Sequence, residues 1–216
     1  KTKSETEQIW NKSLSAVQLK GGKPEDYTKF YTALYHSMLF PRTFSDVDGS
    51  YPAFDGNKSI QKIEDRHVYY DDFSLWDTHR AQLPLVSLVA PELYEDMMKS
   101  LVLKAEQGGW MPIFPMWNSY TSAMIGDHSS SVICDAAMKG FDFDLQKAYK
   151  YMRKNAFETP EKLEDYIDGK GRRALKSYIQ YGYIPLEDPV NHAFHKGEQV
   201  SRTLEYANDD WAVAQV

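Results

Sequence analysis

The stretch SLWDTHRAQLPL, residues 74–85, sets an aspartate and an arginine among bulky apolar residues. At helical spacing Phe73, Trp76, Asp77, Arg80 and Pro84 share one face, because residues three and four apart are neighbours on a helix. A charge on such a face is costly unless it is paired or used. One reading pairs Asp77 with Arg80 as a buried ion pair fixing two helices. The other is a polyol site: the carboxylate accepts hydrogen bonds from two hydroxyls while the Trp76 indole stacks on the C–H face of a ring. Pro84 denies the Arg80 carbonyl a hydrogen bond and so predicts a bend there. Residue types alone leave both readings open.

A second constellation is GGWMPIFPMWNSYTSAMIGDHSS, residues 108–130, which gathers Trp110, Trp117, Tyr120, Asp127 and His128. Core packing accounts for the aromatics, and Asp127 can cap a following helix. Alternatively, Gly108 and Gly109 let the backbone approach another group closely, and the Asp127 and His128 pair forms the polar floor of a pocket. The third is SRTLEYANDDWAVAQV, residues 201–216, which places Leu204, Glu205, Asn208, Asp209 and Trp211 on adjoining faces of one helix. Glu205, between Leu204 and Tyr206, is a candidate general acid, since desolvation there favours a protonated carboxyl. The competing reading pairs it with Arg202 near the helix start. Asp209 and Asp210 are too few to make a cation site. His79, His192 and His195 have no metal-ligand spacing, so no metal ligand is assigned.

These residues need a scaffold. The 216 residues, 42% hydrophobic and 26% charged, suit one sizeable core. A balance of 25 Lys and Arg against 31 Asp and Glu, net −6, argues against a nucleic-acid partner. The short basic run GKGRR, 169–173, reads as a solvated loop. Cys134 is the only cysteine, which excludes an internal disulfide, and its apolar surroundings read as core. No run approaches the roughly 20 apolar residues of a membrane span. The start, KTKSETEQIW, lacks the apolar core of a signal peptide.

Helical periodicity predicts helices over 4–19, 24–40, 73–89, 91–107, 123–139, 144–156, 161–167, 172–180 and 199–216. Residues 42–72 read as a long ordered loop with a short hairpin ending at HVYY. Aromatic, Pro-punctuated connections at 107–122 and 181–198 alternate with plain turns such as KGFDFD, 139–144. Helical hairpins side by side would put every elaborate loop at one end, which becomes the binding face. The last helix is still amphipathic where the chain stops, so a piece of a larger helical domain is expected.

Several longer stretches resemble glycoside hydrolase family 92, the calcium-dependent exo-acting α-mannosidases. They are FYTALYHSMLFPRTFSDVDGSY (30–51), FSLWDTHRAQLPL (73–85), MMKSLVLKAEQGGWMPIF (97–114), YTSAMIGDHSSSVICDAAMKG (120–140), YGYIP (181–185) and TLEYANDDWAVAQ (203–215). The resemblance implies an all-α chain, about the first half of an (α/α)6 toroid of six hairpins, preceded in the family by a β-sandwich. It implies inverting hydrolysis of terminal α-mannosides, a mannose-containing glycan as partner, and a secreted or periplasmic bacterial setting. The aspartate of the family's WDT motif, here Asp77, holds the sugar together with a calcium ion. Trp76, Arg80, Trp110, Asp127 and His128 are the further candidate substrate contacts, and Glu205 is the local candidate acid. Nothing in this chain matches the family's GNEP-like and GNDD-like motifs, which are similar to the calcium and catalytic-base sites. The calcium ligands are therefore expected outside it, and residues 1–216 alone are expected to be inactive. Arg202 and Asn208 depart from the commoner family pattern. A different toroid glycosidase, a polysaccharide lyase, and a non-catalytic carbohydrate-binding helical module are the competing readings.

Overall fold

Prolines and glycines set most of the helix boundaries. The computed structural model describes residues 2–54, 56–57, 59–63 and 67–216. Helix α1 (Thr2–Leu14) leads to α2 (Pro24–Ser37), opened by Pro24 at a position whose N–H would have no helical partner. Four short strands follow: β1 (Arg42–Thr43), β2 (Ser50–Pro52), β3 (Ile60–Lys62) and β4 (Tyr70–Asp71). Then come α3 (Leu75–Thr78), α4 (Gln82–Val89), α5 (Pro91–Gly108), α6 (Ser129–Met138), α7 (Leu145–Phe157), α8 (Leu163–Asp168), α9 (Leu175–Tyr181) and α10 (Gln199–Gln215). α5 stops at Gly109, whose φ of +81° suits glycine alone without strain. At α7 the Asp144 carboxylate caps the helix by accepting from the Lys147 N–H at 2.9 Å.

The structure corrects several expected spans. α1 ends at Leu14 rather than residue 19 and buries no side chain; Ile9 is exposed. The helix expected over 73–89 is two helices separated at His79–Ala81, so Phe73, Trp76, Asp77, Arg80 and Pro84 do not share one continuous face. Pro84 is the reason: inside one long helix its ring would collide with the Arg80 carbonyl, whereas restarting at Gln82 puts it in a first turn that needs no N–H. The helix expected over 123–139 begins only at Ser129, because Met124 and Gly126 adopt positive φ. Between 42 and 72 the single hairpin becomes two antiparallel ladders. One pairs Arg42 with Asp71 and Thr43 with Tyr70; the other pairs Tyr51 with Gln61. The run 169–173 is not a solvated loop, for Arg172 and Arg173 are buried.

α4, α6 and α10 run in one sense, and α5 and α7, which alternate with them along the chain, run in the other. The contacts fix this. His128 faces Glu205 and Ser131 faces Asn208, so α6 and α10 are parallel. At one end, where the α4/α5 and α6/α7 turns are tight, the Tyr94 and Phe141 rings meet edge to face at 4.9 Å. At the other, Lys154 donates to the Gly109 carbonyl and Asn155 to that of Met111. The long 109–128 connection lies at this second end, and the 182–198 connection leads into the start of α10. Leu83, Met98, Leu101, Ile133 and Met152 form the core between the helices, and Cys134 is buried near it.

One charge pair penetrates this scaffold. Lys104 Nζ is fully buried, donating to Asp71 Oδ1 at 2.6 Å and to the Tyr69 hydroxyl at 2.7 Å, beneath the faces of Phe54 and Tyr69. Burial pushes its ammonium down to about 8 against the opposing pull of Asp71. Breaking such a pair from one side leaves an uncompensated buried charge. Lys104→Met is therefore expected to cost about 3–5 kcal/mol of stability, and adding Asp71→Asn to regain part of it, as read by urea unfolding. An unchanged midpoint in the single variant would contradict this assignment.

Candidate active site

The site begins with a carboxylate that has no freedom. Asp209 on α10 is fully buried and uses both oxygens. Oδ2 accepts the Asp127 N–H at 2.6 Å; Oδ1 accepts from His128 Nδ1 at 3.0 Å and from Ser131 Oγ at 3.1 Å. One residue thus ties α10 to the start of α6. It also fixes the His128 ring, whose Nε2 points at Glu205 Oε2, 2.9 Å away. The two atoms are close but not aligned as a hydrogen bond, and they form an ion pair only when the ring is protonated. Glu205 and Asp209 are four residues apart and so lie on one face of α10. Gly126 makes room for the ring, because a Cβ there would come within 2.4 Å of Nε2.

Asp127 faces the other way. Its carboxylate is completely buried, accepting from Arg172 Nε at 3.0 Å, Asn155 Nδ2 at 3.1 Å and Ser129 Oγ at 3.3 Å. Arg172, also buried, extends Nη1 to Asp210 Oδ1 at 2.5 Å, and Tyr178 donates to the second Asp210 oxygen at 2.9 Å. Burial raises the Asp127 carboxyl to about 6; Arg172 opposes that shift and the neighbouring Asp209 adds to it. Asp127 does not cap α6, whose N-cap is His128. It lies behind His128, wholly shielded from solvent.

The rim is built by the break between α3 and α4. Arg80 leaves α3 free to fold back: its guanidinium lies 4.6 Å from the Trp76 ring centroid, Nη1 donates to the Trp76 carbonyl, and Nη2 reaches Glu205 Oε1 at 3.4 Å. Asp77 does not pair with Arg80. It is exposed and accepts from the Ser74 hydroxyl. Arg202, the alternative partner for Glu205, turns away to donate to the His195 carbonyl at 2.7 Å. Glu205, one-fifth exposed, therefore stands between the His128 imidazole and the Arg80 guanidinium.

The structure thus brings Glu205, His128, Arg80 and Trp76 into one connected set, with Asp77 beside it and Asp127 behind it. Trp110 stands apart. It is buried with Phe54 and Tyr120, its N–H donating to the Tyr120 hydroxyl, which donates in turn to the Trp110 carbonyl. Gly108 serves that packing, since a Cβ would strike the phenol. Sequence reasoning did not single out His79, Asn155 or Arg172. His79 stacks on His128 with ring centroids 4.0 Å apart and planes 14° from parallel. Its neighbour Asp77 drew the attention, and nothing in spacing links residues 79, 155 and 172 to 127 and 128. Among the described residues no three His, Cys, Asp or Glu side chains stand where they would hold one metal ion.

The family model of the glycosyl hydrolase family 92 catalytic domain matches residues 1–216, and the chain belongs to that family. Among solved structures it is similar to the family 92 α-mannosidase BT3965 of Bacteroides thetaiotaomicron, at 32% identity and a TM-score of 0.82 over 98% of this chain. It is equally similar in fold to the family 92 inverting mannosidase BT2199 of the same organism, at 30% identity over 98% of this chain with a TM-score of 0.82. The chain spans 26% and 27% of those two proteins, about a quarter of their length. No curated protein matches.

The two stacked rings titrate in opposite directions. Burial lowers His128, but Asp209, Glu205 and Asp127 together outweigh it and the net shift is upward. Burial and then the charge on His128 move His79 downward. The stabilisation linked to His128 is complete below the unfolded value of 6.5 and is lost as pH rises through its higher folded value. That linked to His79 is complete above 6.5 and is lost as pH falls through its lower folded value. NMR titration of the ring protons is expected to place His128 above 6.5 and His79 below it. The reverse order would refute the Asp209 to Glu205 linkage.

Proposed function

We propose that this chain forms part of the sugar pocket of an α-mannosidase that removes terminal α-linked mannose from glycans by inverting, calcium-assisted hydrolysis. The observation that carries the proposal is the Glu205 carboxylate, held at the rim by His128 and Arg80 beside the exposed Asp77 and the half-buried Trp76. Family membership and the likeness to α-mannosidases, one solved with mannoimidazole, support mannose as the sugar.

In this reading Asp77 accepts hydrogen bonds from the hydroxyls of the terminal mannose while Trp76 and Arg80 line its side. Glu205 gives its proton to the glycosidic oxygen as the bond from that oxygen to the anomeric carbon breaks. Water attacks the anomeric carbon from the opposite face and loses its proton to a base that no residue of this chain is assigned. Inversion requires the two carboxyl groups to stand ~6.5–9.5 Å apart, leaving room for the water. His128 and Asp209 fix the acid's position, and His79 covers the far face of the imidazole. The parallel run of α4, α6 and α10, with α5 and α7 in the opposite sense, supports the reading of these helices as hairpins of an (α/α)6 toroid.

Among the described residues, two buried carboxylates of the site have no oxygen left over for the calcium that the family implies. Those of Asp127 and Asp209 are fully engaged by Arg172, Asn155, Ser129, Ser131, His128 and backbone.

In the full-length protein, Glu205→Gln is expected to lower kcat on mannobiose by about 10²–10⁴, whereas Asp77→Asn raises KM. The first sugar released should be β-mannose by proton NMR, and a calcium chelator should abolish release. Turnover by the Glu205→Gln protein within twofold of the parent would remove Glu205 from the acid's role.

A further inference from the structure

The 109–128 connection carries a second feature, at Met116–Ser119. Met116 and Ser119 exchange both backbone hydrogen bonds at 3.1 Å, closing a two-residue hairpin turn. Its central residues, Trp117 and Asn118, both have φ of +54°. This is the turn that asparagine and glycine normally fill. A bulky residue with positive φ is a true outlier, because its Cβ crowds the adjacent carbonyl.

Two adjacent buried aspartates hold the turn in this form. Asp72 Oδ1 accepts the Trp117 N–H at 2.8 Å, and Asp71 Oδ2 accepts the Asn118 N–H at 2.6 Å. The Asn118 side chain is drawn inward, donating to the carbonyls of Pro52 and Ala53. Arg42 and Lys104 neutralise the two aspartates from behind. The outcome is a Trp117 side chain left 74% exposed. An isolated exposed tryptophan needs no explanation by itself. One held by two carboxylates in a backbone conformation that disfavours tryptophan does, and such strain collects where function uses it.

Its place in the chain sets the turn near the α3 side of the site. The same connection ends in Asp127 and His128. The Phe73 N–H donates to the Pro115 carbonyl, which joins the turn to the strand leading into α3, the helix that bears Trp76 and Asp77. From Asp72, which holds Trp117, to Asp77 the chain spans on the order of 18 Å at full stretch, and less because α3 coils.

Resting on the mannosidase reading above, we infer that Trp117 is a stacking platform for the sugar on the leaving side of the cleaved bond. It is a specificity-determining residue for glycans of two or more rings. The flat indole would pack on the C–H face of that second ring, while the rigid turn keeps it presented without a further ordering cost.

The test compares Trp117→Asn with the parent in the full-length protein. Asparagine accepts positive φ readily, so the turn persists and Tm is expected to stay level or rise by about 2 °C. KM for mannobiose should rise about tenfold, with at most a twofold change on α-mannosyl fluoride, whose leaving group has no ring. Calorimetric titration of mannobiose into the Glu205→Gln protein should show the same tenfold weakening on adding Trp117→Asn. Equal losses on both substrates, no loss on mannobiose, or a fall in Tm matching the loss of activity would overturn the inference. Unaltered mannobiose kinetics beside intact mannosidase activity would sink this inference alone. Absent turnover with mannobiose binding that still depends on Trp117 would sink only the hydrolase reading. Neither turnover nor binding would sink both.

Discussion

A buried guanidinium shared by two carboxylates underlies the site. Arg172 lies just before α9, Asp127 just before α6 and Asp210 on α10; Arg172 and Asp127 meet fully buried, while Asp210 is partly exposed. The Arg172 and Asp127 charges are tolerable only because each faces the other; removing either leaves a buried ion whose uncompensated cost is several kcal/mol. The cluster therefore fixes three segments that are distant in sequence. Asp209, next to Asp210 on the same helix, then takes the Asp127 N–H and the His128 ring in one grip, and His128 passes that order to Glu205. The rigid interior thus reaches the solvent-facing acid through four side chains.

The division between the two ends of the helices follows from chain chemistry. At the tight-turn end, apolar packing such as Tyr94 against Phe141 needs no polar partners. At the loop end the backbone leaves regular structure, and buried N–H and C=O groups must find side chains. Asp71, Asp72, Asp209, Asn155 and Lys154 meet that demand. Groups that satisfy loop backbone also orient what the loops display: Asp72 holds Trp117 and Asp209 holds His128. Satisfying the buried backbone and building the site are one set of contacts.

Much of this was legible in the sequence. Pro24 and Pro91 mark helix starts, and the alternation of elaborate and plain connections matches the long 109–128 connection at one end of the helices and the tight turns at the other. Glu205, His128, Arg80 and Trp76 were each named from residue type and local context, and they do meet. What pattern reading could not supply were contacts set by tertiary packing. Pro84 was read as a bend, yet a full restart of the helix relieves its clash more completely and frees Arg80 to reach Glu205 instead of Asp77. Gly126 ended an expected helical turn because the His128 ring needs the space of its missing Cβ. Arg172 and Arg173 looked like surface charge because their neighbours are glycine and lysine; their burial depends on Asp127, Asp210 and Tyr206, all remote in sequence. Trp110 shares a segment with His128 but is claimed by Tyr120 and Phe54.

The most direct test of the central claim is a double-mutant cycle between Arg172→Met and Asp127→Asn, read as unfolding free energy in denaturant. A shared buried pair predicts that the double variant recovers a coupling of about 2–3 kcal/mol relative to the sum of the single losses. Additive losses, with coupling below about 0.5 kcal/mol, would show that the two residues do not depend on each other and would contradict the account.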